Sequence, residues 1–475
     1  MAKSNEVDFF RDFQMVIDGR TTSADKTFDV VNPATETSVG QAPDCSPQQL
    51  DAAVGAARNA FLSWRHSSHA TRSALLNAIA DRMESIAEPL SLLLTREQGK
   101  PLAEAKAEIQ RAALWFKHYA TRELPIERYT EGNRHEIEVR RVPIGVVGAI
   151  TPWNFPITLA VWKLAPALLA GNAVVLKPSP FTPLSTLKLG EALLDILPPG
   201  LVNFVSGGDE LGPLISQHAG IDKIAFTGST ATGRAVMRSA AGNLKRLTLE
   251  LGGNDPAIIL PDVDVDEVAE KIFWAAFRNS GQVCVAAKRI YVHDAIYDRF
   301  AAAMADLARA HRPANGEEPG TSLGPVQNRL QYQRVRELIE ESRSANLEFL
   351  SEPGDFDGPG YFIAPTIVDD PPDDARVVTE EPFGPVVPLL RYRDIDDAIR
   401  RANSSEFGLA ASVWSKDTDV AAKVAERIES GTVWINKAQF LSPSVPFGGR
   451  KQSGIGIENG DEALLEYTAI QTIVK

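Results

Sequence analysis

The chain has 475 residues, 44% of them hydrophobic and 23% charged, which is long enough for two or more domains or one very large α/β unit. A formal net charge of −13, without a long run of lysine or arginine, argues against nucleic acid as a partner. Two cysteines do not make the framework of a disulfide-rich secreted protein.

The most apolar window, residues 145–171, is long enough to raise the question of a membrane span. Prolines, an asparagine and a lysine interrupt it, and residues 1–20 carry charge throughout instead of the continuous apolar core of a secretory signal. We therefore expect a cytoplasmic protein in a reducing compartment, without a membrane partner.

Residues 50–120 carry apolar side chains three and four positions apart, a spacing typical of the surface helices of a large domain. From residue 142 onwards, short apolar strands alternate with helical stretches. The strands are predicted at "VGAIT", "NAVVLK", "LVNFV", "KIAF" and "RLTLEL". This alternation predicts βαβ units, and therefore a parallel sheet with helices on both faces.

A second α/β series follows. The sequence "GGNDP" interrupts the strand series near residue 253, and a helical stretch at about 265–279 leads into a loop with Cys284. Strands and helices then alternate again from "KRIYVH" to "GTVWIN", which predicts a second α/β domain. Residues 127–142 and the tail "LLEYTAIQTIVK" are predicted as strands outside the two main sheets, paired as a flap.

Ligands of open parallel sheets bind beyond the carboxyl ends of the strands. Four predicted strands of the first series end in polar or glycine residues, and these ends meet at one edge of the sheet. The residues are Trp153, Asn154, Lys177, Ser179, Thr227, Gly228, Ser229, Glu250, Gly252 and Gly253. Their convergence predicts a ligand crevice, although the turn "FTGSTATGR" alone is better explained by a capped helix.

Cys284, in "FRNSGQVCVAAKR", has two interpretations at this point. A lone cysteine is more often a buried small hydrophobe than a nucleophile. Gly281 permits unusual backbone angles close to a ligand, however, and Glu250 ends an apolar strand, where a carboxylate is costly unless it has a partner or a function. Cys45 has no comparable setting, and we expect it to be inert.

Nine ordered motifs resemble the aldehyde dehydrogenase superfamily, and they cover nearly the whole chain from about residue 15. The motifs are "TPWNFP", "LKPS", "FTGST", "LELGG", "GQVC", "EEPFGPV", "FGLAASV", "GTVWIN" and "PFGGRKQSG". The resemblance implies an aldehyde-dehydrogenase-like α/β fold in three parts. They are a Rossmann-type parallel-sheet cofactor domain (1–126 and 143–252), an α/β catalytic domain (253–441) and a small β oligomerisation flap (127–142 and 460–475).

The resemblance also implies a reaction. Cys284 would attack the aldehyde to form a thiohemiacetal, with the oxyanion held by the Asn154 amide and the Cys284 N–H. Hydride transfer to NAD(P)+ would leave a thioester, and Glu250 would act as general base for its hydrolysis to the acid. Two alternatives stay open: a CoA-acylating semialdehyde dehydrogenase, which the presence of Glu250 disfavours, and a non-catalytic relative.

The matching positions imply the binding residues for NAD or NADP and for the aldehyde. The cofactor residues are Trp153, Lys177, Ser179, Thr227, Gly228, Ser229, Leu251, Gly252, Glu381 and Phe383. The substrate-pocket residues are Phe155, Leu159, Trp162, Val283, Val285 and Leu441. These walls are mostly apolar, which favours an aliphatic or aromatic aldehyde. No metal is implied, and the flap implies a homodimer or homotetramer.

One departure from the family pattern predicts the cofactor range. Many NAD-preferring relatives have a glutamate three positions after the lysine that matches Lys177, and this chain has Pro180. An acidic residue there would repel a 2′-phosphate, so its absence relaxes the discrimination against NADP. We predict that NADP is tolerated beside NAD, and a ratio of kcat/KM for NAD over NADP above about a thousandfold, ~4 kcal/mol, would contradict this.

Overall fold

The computed structural model describes residues 7–132 and 134–475. Its strands are β1 (Met15–Ile17), β2 (Arg20–Thr22), β3 (Thr27–Val31), β4 (Ser38–Pro43), β5 (Ile126–Glu131), β6 (His135–Pro143), β7 (Val146–Ile150), β8 (Ala173–Lys177), β9 (Val202–Phe204), β10 (Lys223–Thr227), β11 (Arg246–Glu250), β12 (Asp255–Ile259), β13 (Ala287–His293), β14 (Glu348–Ser351), β15 (Thr366–Asp369), β16 (Val386–Tyr392), β17 (Phe407–Gly408), β18 (Ala410–Trp414), β19 (Thr432–Ile435), β20 (Arg450–Lys451), β21 (Gly454–Ile455) and β22 (Thr468–Val474).

Its α-helices are α1 (Pro47–Trp64), α2 (His69–Ser85), α3 (Ala87–Gln98), α4 (Leu102–Tyr119), α5 (Pro156–Ala170), α6 (Leu184–Ala192), α7 (Leu211–Gln217), α8 (Thr230–Ala240), α9 (Val265–Phe277), α10 (Tyr297–Ala310), α11 (Arg329–Ser344), α12 (Arg376–Thr379), α13 (Ile395–Asn403), α14 (Thr418–Ala425) and α15 (Gly460–Glu466). In the part of the chain that the structure describes, no helix is both long and apolar enough to cross a membrane.

The first sheet has the order β2-β1-β9-β8-β7-β10-β11-β21. Its central strands, β9 to β11, are mutually parallel, and every residue of β7, β8 and β10 is buried. Continuous apolar runs of this kind are what a parallel sheet covered on both faces requires. The chain runs from β7 outwards to β9 and then returns to β10 on the other side of β7. This reversal places a ligand crevice beyond the carboxyl ends of β7 and β10.

The second sheet has the order β14-β15-β16-β13-β12-β18-β19, and its strands are parallel except for β14. Ala257 and Ile259 of β12 face one apolar cluster and Ile258 faces another, so both faces of the sheet are buried. The sequence interpretation took "GGNDP" as an interruption, but β12 begins within it at Asp255. Pro256, a residue that argues against a central strand, hid this strand.

Other differences lie in polar segments. The sequence interpretation assigned no element to α11, whose buried residues are confined to one face. The tail was predicted as a strand, but residues 460–466 form α15 and only Thr468–Val474 is extended. Two acidic residues in the first turn of α15 suit the positive end of a helix, which explains why this stretch is helical.

The predicted flap is a three-stranded antiparallel sheet. Strand β6 lies in its centre and pairs with β5 on one side and β22 on the other. Every residue of β5 is exposed, and large apolar side chains on the outer strands face solvent. They are Ile126, Tyr129, Ile470 and Val474.

Candidate active site

A cavity of about 150 Å³ lies beyond the carboxyl ends of the first sheet. It brings together all three predicted catalytic residues, Cys284, Glu250 and Asn154. The other residues around it are Pro152, Trp153, Leu159, Thr227, Gly228, Ser229, Leu251, Gly252, Gln331, Arg334, Glu381 and Phe383. Groups from both α/β units therefore meet at one opening.

The loop before Cys284 follows an unusual backbone path. Asn279, Ser280 and Gly281 are left-handed in succession, with φ of 51°, 54° and 72°. A Cβ at Gly281 would lie 2.2 Å from the carbonyl oxygen of Gly384, so this position accepts only glycine. The loop then turns, as the Ala286 N–H donates to the Val283 carbonyl at 3.1 Å. Cys284 is thereby partly exposed at the cavity.

Hydrogen bonds to the backbone carbonyl and from the side-chain amide hold Asn154 in place. Its carbonyl accepts hydrogen bonds from the Lys100 ammonium at 2.9 Å and from the Asn279 amide at 3.3 Å. Its side-chain amide donates to the Gln282 carbonyl at 3.1 Å. Among the described residues no acceptor is found for the Cys284 N–H. Two N–H donors, one from Asn154 and one from Cys284, thus remain for an oxygen in the cavity.

Lys100 itself is held by Glu108, and sequence reasoning missed both residues. The Lys100 ammonium lies 2.5 Å from Glu108 Oε2, and both side chains are buried. Glu108 Oε1 accepts from the N–H groups of Ile157 and Thr158 at the start of α5. This buried pair therefore connects α4 to the Asn154 loop.

Glu250 is a buried carboxyl group for which no hydrogen-bond partner is found on either oxygen among the described residues. Burial raises the pKa of Glu250 to about 8, and Glu458 and Glu381 act in the same direction. The nearby ammonium groups of Lys163 and Lys288 oppose the shift. Glu250 is therefore largely protonated at neutral pH, which avoids the cost of a buried, unpaired charge.

A buried ion pair lies behind Glu250. The Lys163 ammonium lies 2.8 Å from both Glu458 Oε1 and Thr227 Oγ1. Sequence reasoning missed both members of the pair. The signal for Lys163 was present, because a lysine that is the one charged residue of an almost wholly apolar helix needs a buried partner.

The thiol of Cys284 lies in a negative environment. Burial raises its pKa well above the ordinary value, and the carboxyl groups of Glu250, Asp255 and Glu381 add to the effect. Lys288 opposes it. Cys45, in contrast, packs in the core of the first unit, and burial raises the pKa of its thiol to about 12. This environment agrees with the expectation that Cys45 is inert.

A second cavity of about 290 Å³ adjoins the first, and its residues fit a dinucleotide. The Lys177 side chain is 4% exposed, and its one hydrogen bond in the described part of the chain is to the Pro178 carbonyl at 3.2 Å. Ser229 caps α8, whose N-terminus opens toward the cavity. All ten predicted cofactor residues line one or both cavities.

Asp209 also lines the second cavity, and sequence reasoning missed it. Its charge acts on the Lys177 ammonium. The burial of Lys177 lowers the pKa of its ammonium group to about 8, and Asp209 and Asp44 oppose this shift. Asp209 places a negative charge in the same cavity as Pro180, and this charge would repel a 2′-phosphate bound there.

The loop with Glu381 and Phe383 closes the first cavity. The Gly253 N–H donates to Glu381 Oε1 at 3.1 Å, and the Phe383 ring meets Trp153 edge-on at 5.2 Å between centroids. Gln331 of α11 donates to the carbonyl of Phe383, and Arg334 to that of Glu381. Helix α11, which the sequence analysis did not predict, therefore holds the loop with Glu381 and Phe383, whose site residues it did predict.

Of the six predicted substrate-pocket residues, one lines a cavity and five lie outside both cavities. Leu159 lines the first cavity. The other five, Phe155, Trp162, Val283, Val285 and Leu441, pack in the same apolar cluster as Cys284.

Two arginines that sequence reasoning missed, Arg111 and Arg278, share the carboxylate of Glu104 just before the Cys284 loop.

The comparisons agree with this geometry. The model of the aldehyde dehydrogenase family matches residues 20–473. The chain is 39% identical over 466 residues to aldehyde dehydrogenase LUC3 of Fusarium sp, a match that covers 98% of this chain and 99% of that protein.

Two solved structures are similar throughout. One is the NAD+ complex of an aldehyde dehydrogenase from Bacillus cereus (TM-score 0.96, 38% identity, 98% of this chain and 97% of the other). The other is betaine aldehyde dehydrogenase from Staphylococcus aureus in complex with NAD+ (TM-score 0.95, 33% identity, 98% and 95%).

A parallel sheet with a dinucleotide crevice and a cysteine at its mouth defines a nicotinamide-dependent oxidoreductase. The chain belongs to the aldehyde dehydrogenase family. It oxidises an aldehyde to a carboxylic acid with NAD(P)+ as acceptor, so the predicted fold class, activity and cofactor are confirmed.

The raised pKa of Glu250 predicts a pH dependence. A general base must be ionised, so with Glu250 in that predicted role the rate should rise as pH rises through about 8 and level off above it. Glu250→Gln should remove this limb and lower kcat by ~10²–10⁴-fold. Glu97→Gln is a matched control, because burial raises the pKa of that distant carboxyl to about 7. The limb should persist there, and a pH profile that Glu250→Gln leaves unchanged would contradict the assignment.

Proposed function

We propose that Cys284 is the nucleophile of the reaction, that Asn154 and the Cys284 N–H hold the oxyanion, and that Glu250 is the general base. The observation that supports this most directly is that one cavity is lined by all three side chains. A thiol, an amide and a carboxyl group at a single opening are the set that aldehyde oxidation through a thioester requires.

The chain's own groups perform the following steps. The Cys284 thiol gives its proton to the ionised Glu250, which releases it to solvent, and the sulfur attacks the aldehyde carbon, which forms the thiohemiacetal. The negative oxygen accepts hydrogen bonds from the Asn154 amide and the Cys284 N–H, and each such donor is worth roughly 3–4 kcal/mol. The ionised Glu250 takes a proton from water, the hydroxide attacks the thioester carbon, and the Cys284 thiolate leaves as the carboxylic acid forms.

NAD(P)+ would supply the acceptor for the hydride that leaves the thiohemiacetal carbon. Lys177, Ser179 and the Ser229 turn would hold its adenosine and phosphate groups. Trp153, Thr227 and Gly228, which border both cavities, would span its middle. Leu251, Gly252, Glu381 and Phe383 would surround the nicotinamide ribose and ring.

The substrate that we propose is an apolar aliphatic or aromatic aldehyde. The predicted pocket residues belong to the apolar cluster of the first unit, and burying hydrocarbon against such side chains contributes ~25 cal/mol per Å². The presence of Glu250 favours release of the free acid over transfer to CoA, because a general base beside the thioester activates water for hydrolysis. Detection of acyl-CoA in place of free acid would overturn this part.

Replacement of the nucleophile gives a direct test. We expect Cys284→Ser to lose dehydrogenase activity, because the serine hydroxyl ionises far less readily than a thiol. Cys45→Ser removes the other, buried thiol and should keep the activity. The measurement is NADH formation with a panel of aldehydes. Full activity of Cys284→Ser would overturn the nucleophile assignment and revive the non-catalytic alternative.

We further propose that the flap joins copies of the chain as a homodimer or homotetramer in a reducing compartment such as the cytoplasm. The exposed apolar side chains of β5 and β22, including Tyr129 and Ile470, support an interface there. The need for a free thiol at Cys284 supports the compartment.

A charge on the flap should disrupt the assembly. We expect Ile470→Asp to shift the sedimentation coefficient toward that of a monomer, because the side chain is 60% exposed in the single chain and would be buried in the interface. Leu244→Asp changes an equally apolar exposed residue outside the flap and should leave the coefficient unchanged. An unchanged oligomer in Ile470→Asp would remove the flap from the interface.

A further inference from the structure

One buried cation of the site has no role in the reaction described above. Lys288 lies on β13, four residues after Cys284, and its side chain is 2% exposed. Its ammonium donates to the Cys284 carbonyl oxygen at 2.5 Å and lies 2.8 Å from Glu381 Oε1. Lysine at this depth is rare unless it is paired. These two partners belong to the nucleophile's loop and to the loop that closes the cavity.

The contact leaves one oxygen of Glu381 available. Oε1 is engaged by the Lys288 ammonium and by the Gly253 N–H. Oε2 points toward Gly252, where an added Cβ would lie 2.2 Å from it. Both Gly252 and Glu381 line the cavity with Cys284. Lys288 thus fixes the direction in which Glu381 presents its second oxygen.

We propose that Lys288 is a positioning residue: its ammonium ties the main chain of Cys284 to Glu381 and thereby fixes the reacting sulfur relative to the carboxylate that holds the cofactor ribose. Lys288 does not line the cavity, so it acts through its two partners and not on the substrate. The inference rests on the proposed roles of Cys284 and Glu381.

The same cation also balances the charge at the nucleophile. Three carboxyl groups act on the Cys284 thiol: Glu250 at the end of β11, Asp255 at the start of β12, and Glu381. Lys288 is the cation that opposes them there. Lys163 and Glu458 lie beyond Glu250, and Arg289 beyond Asp255. Without Lys288, the thiolate would face these carboxyl groups with less compensation, and the thiol would ionise at higher pH.

The test compares Lys288→Met with a matched control. Lys188 is equally buried, donates to the Asp12 carbonyl at 3.2 Å and pairs with Glu191 at 2.7 Å, but it lies outside the site. Lys188→Met therefore removes the same kind of contact elsewhere. Two quantities are measured for each variant: the pH dependence of Cys284 alkylation by iodoacetamide, followed by mass spectrometry of the Cys284 peptide, and KM and kcat with NAD+.

We expect Lys288→Met to move the alkylation midpoint upward by about one pH unit or more and to raise KM for NAD+ by about tenfold. Lys188→Met should move neither quantity. The Lys288→Met and Glu381→Gln effects on KM should be less than additive, because both break one contact. A folded Lys288→Met protein with an unchanged alkylation profile and a KM within about twofold of the parent would overturn the proposal.

Two features keep the outcome decisive. Alkylation reports on the thiol without turnover, so its result does not depend on the proposed function. The proposed function has its own test, because it is overturned only if Cys284→Ser keeps full activity. If Lys288→Met does not fold, Lys288→Arg carries the test. That variant keeps the charge but changes the geometry of the contacts with the Cys284 carbonyl and Glu381, so KM for NAD+ should rise while the alkylation midpoint stays in place, and an unchanged KM would overturn the proposal.

Discussion

The arrangement of the site depends on one close approach between two backbones. Gly281 passes so near to the carbonyl of Gly384 that a side chain at this position has no space. This approach brings the Cys284 loop against the loop with Glu381 and Phe383, although about a hundred residues separate them in the chain. Because both loops border the same cavity, backbone packing sets the position of Cys284 relative to Glu381 and Phe383.

Around Cys284 and Glu250, carboxyl groups outnumber the cations that could balance them. A thiol surrounded by three carboxyl groups ionises poorly, and a carboxyl group buried without a partner prefers its proton. Cys284 and Glu250 are thus both held in their neutral forms near neutral pH. Lys163 and Lys288 oppose the rise in the pKa of Glu250, and Lys288 opposes the rise in the pKa of Cys284.

Sequence predicted the rim of the site because the rim follows from topology. Once βαβ units are recognised, parallel strands must end at one edge, and residues such as Lys177 and Glu250 are placed there without any contact being known. The ion pairs could not be found in this way. Lys163 and Glu458 are separated by 295 residues, and no local pattern connects them.

Some misses had a legible signal. Asn328 caps helix α11 by accepting a hydrogen bond from the Gln331 N–H, and the buried residues Val335, Leu338 and Ile339 of the helix follow helical spacing. Strand β12 was hidden for another reason, because its proline contradicts the pattern of a central strand. For α11, the helix cap and the spacing of apolar residues were sufficient for a prediction. For β12, tertiary packing overrode the local preference of proline.

Stability and geometry in this site come from different interactions. Val283 and Val285, on either side of Cys284, pack in the apolar cluster of the first unit, although the chain continues from there into the second sheet. Burial of each such side chain contributes ~1.5–3 kcal/mol, which is enough to hold the loop in place. A buried ion pair contributes little net stability, because desolvation offsets its attraction. The Lys288–Glu381 and Lys163–Glu458 pairs therefore fix side-chain directions and balance charge more than they add net stability, whereas removal of one partner alone leaves a buried charge unpaired and costs stability.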